Sequence, residues 1–325
     1  MTESLPPVFH SIEEDLAAVE RRLAKASALP NPLLRSILEG VLLAPGKRMR
    51  PALTIASGRL FHDSTPSMYA MASAVEFLHT ATLIHDDVVD QTDARRGEPT
   101  LYSVIGNSVA ILVGDYLYAQ AAAAATETNN LRVMHLFAES VMTVCAGQID
   151  ESTRDGDGMC WIDRETYYRT IDAKTAALFV LSCETGAILG EAPVEATDAV
   201  RRYARSLGMA FQVVDDILDL IGDEDEMGKP AGSDLRQGVV TLPLIYLREE
   251  LPDQLFRAAF SSNGDRDDAI ATIASCAGSS RAIDRSYDEA RQLVADAVRA
   301  LDAVPRGAYR DLLVELGDSV VERRS

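Results

Sequence analysis

A chain of 325 residues is long enough for one large domain or two ordinary ones, and 47% apolar with 25% charged residues excludes a disordered, collagenous or low-complexity polymer. Fifty acidic against 31 basic side chains leave a formal charge of -19, so the average surface repels nucleic acid and anionic headgroups. Any anionic ligand must then be met by a local basic cluster.

Apolar residues recur at three-to-four spacing, which predicts helices over 12–28, 32–42, 66–84, 104–126, 131–149, 164–187, 197–220 and 282–301. Strand-like alternation is scarce, and Val239-Val240-Thr241-Leu242 is stopped by Pro243. Breaks fall at Ala44-Pro45-Gly46, Asp155 to Gly158, Gly222 to Pro243 and Ser261 to Asp268, and none has the composition of an interdomain linker. The expectation is an all-α, single-domain helical bundle over residues 1–325. The acidic start MTESLPPVFHSIEED lacks a charged-then-apolar leader, and no uninterrupted apolar run reaches about 18 residues, so no transmembrane segment is expected. The four cysteines, Cys145, Cys160, Cys183 and Cys276, form no CxxC pair, which points to a reducing compartment and a cytoplasmic protein.

One internal echo stands out. Asp86-Asp87-Val88-Val89-Asp90 recurs as Asp215-Asp216-Ile217-Leu218-Asp219, each at the C-terminal end of an apolar helical stretch. On a helix the first and last carboxylates of such a motif lie on one face, a turn apart, where like charges repel. A cation should offset that repulsion, and an all-oxygen set favours a hard ion such as Mg²⁺, which is commonly held by one or two carboxylates plus substrate phosphates. A single copy would read as a solvated acidic helix end; two copies in apolar settings favour metal sites.

Only four of the 31 basic residues are lysines. Lys47 lies in Gly46-Lys47-Arg48-Met49-Arg50-Pro51, Lys174 in Asp172-Ala173-Lys174-Thr175-Ala176, and Lys229 just after the second acidic motif, while Arg95-Arg96 follows the first. Lys25 reads as a solvated surface charge. Together the others supply phosphate-binding cations on both sides of the carboxylates. The implied ligands are a diphosphate held through Mg²⁺ and a second one bound directly by Arg and Lys.

GKRMRP, LIHDDVVDQTDARRGEPT, DAKTAALF, GMAFQVVDDILD and GKPAGSDLRQGVVTLP, in this order, resemble the trans-prenyltransferase family of isoprenyl diphosphate synthases over most of the chain. The resemblance implies a helical bundle around a deep central cavity, a homodimer, and three Mg²⁺ ions per active site. It also implies that Asp86, Asp90 and Asp215 bind metal, with Asp216 and Asp219 in support. Arg95, Lys174, Thr175, Gln212 and Lys229 match positions that hold the allylic diphosphate; Gly46, Lys47, Arg50, His79 and Arg96 match those for isopentenyl diphosphate. Gln91 stands where an acidic residue is common, and Gln148 with Glu151 reverses the usual Glu-then-Gln order. The implied reaction is head-to-tail chain elongation. With small residues at Ala81 and Thr82, one turn before Asp86, a product of six to ten isoprene units is expected, with geranylgeranyl diphosphate as runner-up.

Three rivals remain in view. A class I terpene cyclase usually has Asn, Ser or Thr with Glu in its second metal motif and needs no GKRMRP cluster. A di-iron bundle is suggested by Glu76-Phe77-Leu78-His79 but requires a second such motif. A non-catalytic subunit would be expected to have lost an Asp motif or a cation cluster.

Overall fold

The computed structural model describes residues 7–44, 46–95, 97–153, 161–222, 232–261 and 265–323. Its longer elements are α1 (Glu13–Ser27), α2 (Pro32–Leu42), α3 (Met49–Arg59), α4 (Pro66–Val89), α5 (Leu101–Ile105), α6 (Asn107–Thr126), α7 (Leu131–Ser152), α8 (Arg164–Ile171), α9 (Ala177–Leu189) and α10 (Val194–Ile221). There follow α11 (Ser233–Gln237), α12 (Leu242–Leu247), α13 (Asp253–Ala259), α14 (Arg266–Ala277), α15 (Arg281–Ala300) and α16 (Ala308–Glu322). Among the described residues the only strands are β1 (Ala94–Arg95) and β2 (Glu98–Pro99), paired antiparallel across Gly97 at φ 76°. The fold is all-α, as the periodicity predicts.

Local chemistry sets the helix starts. Asn31 accepts from the Leu33 and Leu34 amides ahead of α2, Thr65 from Met68 ahead of α4, Asn130 from Arg132 and Val133 ahead of α7, and Asp163 from Thr166 ahead of α8. Such caps satisfy amides that the first helical turn leaves unpaired, each contributing about 1 kcal/mol. Pro32 and Pro66 sit at first helical positions, where the missing N–H costs nothing.

Two predicted helices are interrupted. The 104–126 stretch breaks at Gly106, whose φ of 79° separates α5 from α6. The 164–187 stretch carries a π-helical turn at Asp172–Ala176 between α8 and α9, a distortion common at functional sites. The periodicity gave no sign of α3 beyond the cationic turn that precedes it: α3 buries every residue from Pro51 to Gly58, so it has no polar face to alternate with.

The centre is built by α4, which packs on α6, α3 and α9, and by α10, which packs on α9, α15 and α16. Glycines permit two close approaches. A Cβ at Gly186 of α9 would lie 2.2 Å from the Thr54 carbonyl oxygen of α3, and one at Gly114 of α6 would lie 2.1 Å from His85 Nε2 of α4. By length and composition α6 is apolar enough to cross a membrane, although its apolar run is interrupted by polar residues. It carries Asp115 near its middle, and its buried Ala110, Val113, Leu117 and Ala121 belong to the core.

Candidate active site

Both acidic motifs end long core helices, but their surroundings differ. At the end of α4, Asp90 donates its backbone amide to the Asp86 carbonyl, which places the two side chains a turn apart. Burial pushes the Asp86 carboxyl up to about 6; Lys174 and Arg95 oppose the rise, while Asp90 and Asp87 add to it. Asp90 is raised for the same leading reason, burial, with Lys174 again opposing. Asp87 points inward, and its Oδ1 accepts from Arg95 Nε at 2.9 Å and Nη2 at 2.8 Å.

Lys174 supplies the facing charge. It donates to Glu151, and burial, which alone would lower its pKa, is outweighed by Glu151, Asp86 and Asp90, so the ammonium is held protonated. The adjacent Thr175 reaches the other way. Its hydroxyl donates to Gln212 Oε1 at 2.6 Å, and Gln212 Nε2 donates to Asp216 Oδ1 at 2.7 Å, one turn further along α10. The π-turn therefore serves both motifs, with Lys174 on the end of α4 and Thr175 on the end of α10.

At that second end, Asp216 and Asp219 are buried. Asp216 Oδ2 accepts from the Tyr167 hydroxyl at 2.6 Å; burial, and then Asp234, push its carboxyl well above the usual range while Tyr167 and Gln212 oppose them. Asp219 Oδ2 accepts from the Asp234 amide at 3.0 Å, and its carbonyl accepts from Gly232 at 2.7 Å, which pins the chain entering α11. Only Asp215 remains partly exposed, and its Oδ1 accepts from Arg323 Nη1 at 3.0 Å.

The cationic turn before α3 divides its arginines. Arg48, at φ 45°, donates to Glu20, to Glu76 at 2.7 Å and to the Leu42 carbonyl at 2.6 Å, tying α1, α2 and α4 together. Arg50 turns towards the motifs. Burial lowers its pKa to about 10, against the opposing charges of Glu76 and Asp215, and its Nη1 lies 3.0 Å from His79 Nε2. A guanidinium only donates, so His79 Nε2 is the acceptor. Arg50 also stacks 5.1 Å from the Phe179 ring centre, and Arg323 stacks 4.7 Å from that of Phe211. The buried Nε atoms of Arg50 and Arg323 have no hydrogen-bond partner among the described residues, so each arginine retains a donor suited to an anion.

The structure thus brings Asp86, Asp90, Lys174 and Arg95 together at one motif, and Thr175, Gln212, Asp216 and Asp219 together at the other, with Arg50 and His79 paired beside Asp215. Gly46 and Lys47 are exposed on the loop before α3. Arg96 and Lys229 lie outside the described residues. Sequence reasoning missed Tyr167, whose hydroxyl looked like any other on an amphipathic helix, and Arg323, whose basic end VERRS in an acidic chain was an available signal. The di-iron reading does not fit: Glu76 accepts from Arg48, and His79 from Arg50.

The family model described as polyprenyl synthetase matches residues 31–276. The chain belongs to the polyprenyl synthetase family. It is 37% identical over 320 residues to heptaprenyl diphosphate synthase component 2 of Geobacillus stearothermophilus, covering 96% of this chain and 98% of that protein. It is 31% identical to octaprenyl diphosphate synthase of Escherichia coli, covering 95% and 96%. A crystal structure of a polyprenyl synthase from Caulobacter crescentus, complexed with calcium and isoprenyl diphosphate, superposes with a TM-score of 0.90 at 33% identity, covering 98% of this chain and 97% of that one. As a member of the polyprenyl synthetase family the protein is a transferase of prenyl groups, a polyprenyl diphosphate synthase.

Proposed function

We propose that the protein condenses isopentenyl diphosphate with an allylic diphosphate and repeats the step to an all-trans product of six to ten isoprene units. The observation that carries this reading is the π-turn, which joins an acidic, cation-faced helix end to a second, internally braced one. The donor set fits a hard divalent ion: two carboxylates a turn apart, one raised to about 6 by burial and by its neighbours' charge, would be relieved by a cation. Asp86, Asp90 and Asp215 would hold Mg²⁺, three ions per site by family resemblance, supplying charge neutralisation for the departing diphosphate.

The chain's own residues do the rest. Lys174, held protonated, faces the allylic diphosphate and stabilises negative charge as the C–O bond breaks. Arg50, with Lys47 on the neighbouring loop and His79 orienting it, holds the diphosphate of isopentenyl diphosphate through the donor Arg50 retains. The double bond then attacks the allylic cation, and a proton is lost to the released diphosphate. Buried Ala81, Phe77 and Leu78 of α4 exclude water, which would trap the cation as an alcohol.

The product length rests on Ala81 and Thr82, too small to block a tail leaving Asp86, and on relatives named as heptaprenyl and octaprenyl synthases. Incubation with Mg²⁺, labelled isopentenyl diphosphate and farnesyl diphosphate, followed by chromatography of dephosphorylated products, tests it. Products of 30 to 50 carbons are expected, and Ala81→Phe should shorten them; a product ending at 20 carbons or fewer would overturn it.

We also infer a homodimer. Val104, Val109, Ile111, Leu112 and, on α7, Met142 and Ile149 are large exposed apolar side chains, and a second copy is the occupant favoured by family resemblance. A relative named as a synthase component makes a heteromer the competing outcome, and light scattering of the purified chain separates the two. A single-domain organisation and a cytoplasmic location complete the reading.

A further inference from the structure

Asp172 is the first residue of the π-turn, and it is held twice. Its carbonyl accepts from the Ala177 amide, five residues on, which is the bond that makes the turn π rather than α. Its carboxylate is gripped from α10, where Arg205 Nε donates to Oδ1 at 2.7 Å and Nη2 to Oδ2 at 2.6 Å, a two-pronged pair. Three residues later, Thr175 donates to Gln212 of the same helix. Between these anchors the turn rests directly on α10, since a Cβ at Gly208 would lie 2.7 Å from Ala176 Cα. Arg205, Gly208, Gln212 and Asp216 follow one another at spacings of three, four and four, so they form one stripe of α10 that ends in the second acidic motif. On another side the turn is backed by α7, where a Cβ at Gly147 would lie 2.8 Å from Ala173 Cβ.

Rotation makes these anchors matter. A π-turn takes up one residue more than an α-turn, and relaxing it would carry one side around the helix axis by about 100° relative to the other. Lys174 and Thr175 would then no longer both reach their motifs. Gln212 holds the later part of the turn through Thr175, and Arg205 holds its start through Asp172. The Arg205–Asp172 pair lies towards the surface, where an ion pair adds little to stability. Misplacing a reacting group by about 1 Å, by contrast, can cost about a hundredfold in rate.

We infer that Arg205 is a positioning residue: by holding Asp172 it fixes the π-turn on α10 in the rotation that sets Lys174 on the first motif while Thr175 braces the second. This rests on the reading of Lys174 as the cation that faces the allylic diphosphate. Arg205 acts through the turn, its paired donors being engaged by Asp172.

The test measures the initial rate of condensation of farnesyl diphosphate with labelled isopentenyl diphosphate in Mg²⁺, giving kcat and both KM values for each variant. Arg205→Ala and Asp172→Asn should each lower kcat by about tenfold. KM for isopentenyl diphosphate should stay within about twofold of wild type, and the denaturant midpoint should hardly move. Arg205→Lys, which keeps the charge but loses the fork, should recover part of the loss. In a Lys174→Ala background Arg205→Ala should cost nothing further, because the side chain it orients is gone. If folded Arg205→Ala keeps the wild-type kcat while Lys174→Ala loses it, or if the two losses multiply in the double variant, Arg205 does not position Lys174 and the inference is wrong. A lowered midpoint with unchanged kcat marks a purely structural pair and overturns it equally. If Lys174→Ala itself leaves kcat at the wild-type value, the reading of Lys174 fails and the inference falls with it.

Discussion

The two acidic motifs have the same spelling and the same position at the end of a long helix, yet they are built for different tasks. At the end of α4, Asp86 and Asp90 face a protonated lysine and keep oxygens available, and only Asp87 is committed to a partner, Arg95. At the end of α10, Asp216 and Asp219 are buried among donors from α8, from α11 and from Gln212 of α10 itself, and Asp215 alone is presented. The first motif is an electrostatically loaded face, whereas the second is a braced support for one carboxylate. Holding one set of ligands rigid while leaving the other to be neutralised by ion and substrate reduces the ordering cost at the moment of binding.

The comparison is open to attack first at the presented carboxylates. Asp86→Ala and Asp215→Ala should each lower turnover by roughly 10²–10³ or more with the helical circular dichroism unchanged, since each removes a contact to developing charge. Activity that persists in EDTA would contradict the metal role assigned to both ends.

The cations should then separate the ends kinetically. Lys174→Ala should depress kcat with the allylic substrate, while Arg50→Ala should chiefly raise KM for isopentenyl diphosphate, each by roughly tenfold or more. Equal effects on both substrates would show that the two ends do not divide the diphosphates between them.

The bracing at the second end predicts a smaller effect. Tyr167→Phe leaves one buried oxygen of Asp216 without its donor, which should cost about 1–3 kcal/mol of stability, read as a lowered denaturant midpoint. Asp87→Asn, which weakens the Arg95 contact at the half-exposed first end, should cost less, about 1 kcal/mol or below. A reversed order would mean that the first motif is the braced one.

The smallest effect lies one residue away. Tyr168, next to Tyr167, donates to Glu289 of α15, as do Tyr246 and Arg164, the latter at 2.9 and 2.7 Å, so α8 is anchored to α15. Burial alone would raise the Glu289 carboxyl, but Arg164, Tyr168 and Tyr246 outweigh it and hold it below the ordinary carboxylate value of 4.5. A group depressed in the folded state contributes stability above its unfolded pKa and loses it as pH falls through the folded pKa. Thermal stability should therefore decline on acidification below about pH 4.5, and Glu289→Gln should flatten that part of the profile.

Much of this was legible in the sequence because it depends on local order. Apolar spacing marks α1, α2, α4, α6, α7, α10 and α15 to within a few residues, since an amphipathic helix writes its period into the chain. The two DDxxD motifs and the scarcity of lysine pointed to paired acid and cation sites for the same reason. Where an element is buried on every side, as in α3, the period vanishes, and only the cationic turn marks the helix that follows it. The break at Gly106 and the π-turn before α9 were missed because both are small distortions inside an otherwise continuous apolar pattern.

By itself, then, the sequence determined the helical class, the family, the two carboxylate clusters and the residues able to neutralise a diphosphate. Spacing alone could not distinguish Asp86 from its counterpart Asp215, or Asp87 from Asp216, because it puts them at identical angles on their helices. Only the tertiary structure decided that Asp216 would be held by Tyr167, 49 residues away, that Asp215 would meet Arg323, 108 residues away, and that Lys174 and Thr175 would point to opposite motifs. The reason is physical: a carboxylate's exposure, charge state and partners are properties of what packs against it, and that is fixed by contacts between segments far apart in the chain.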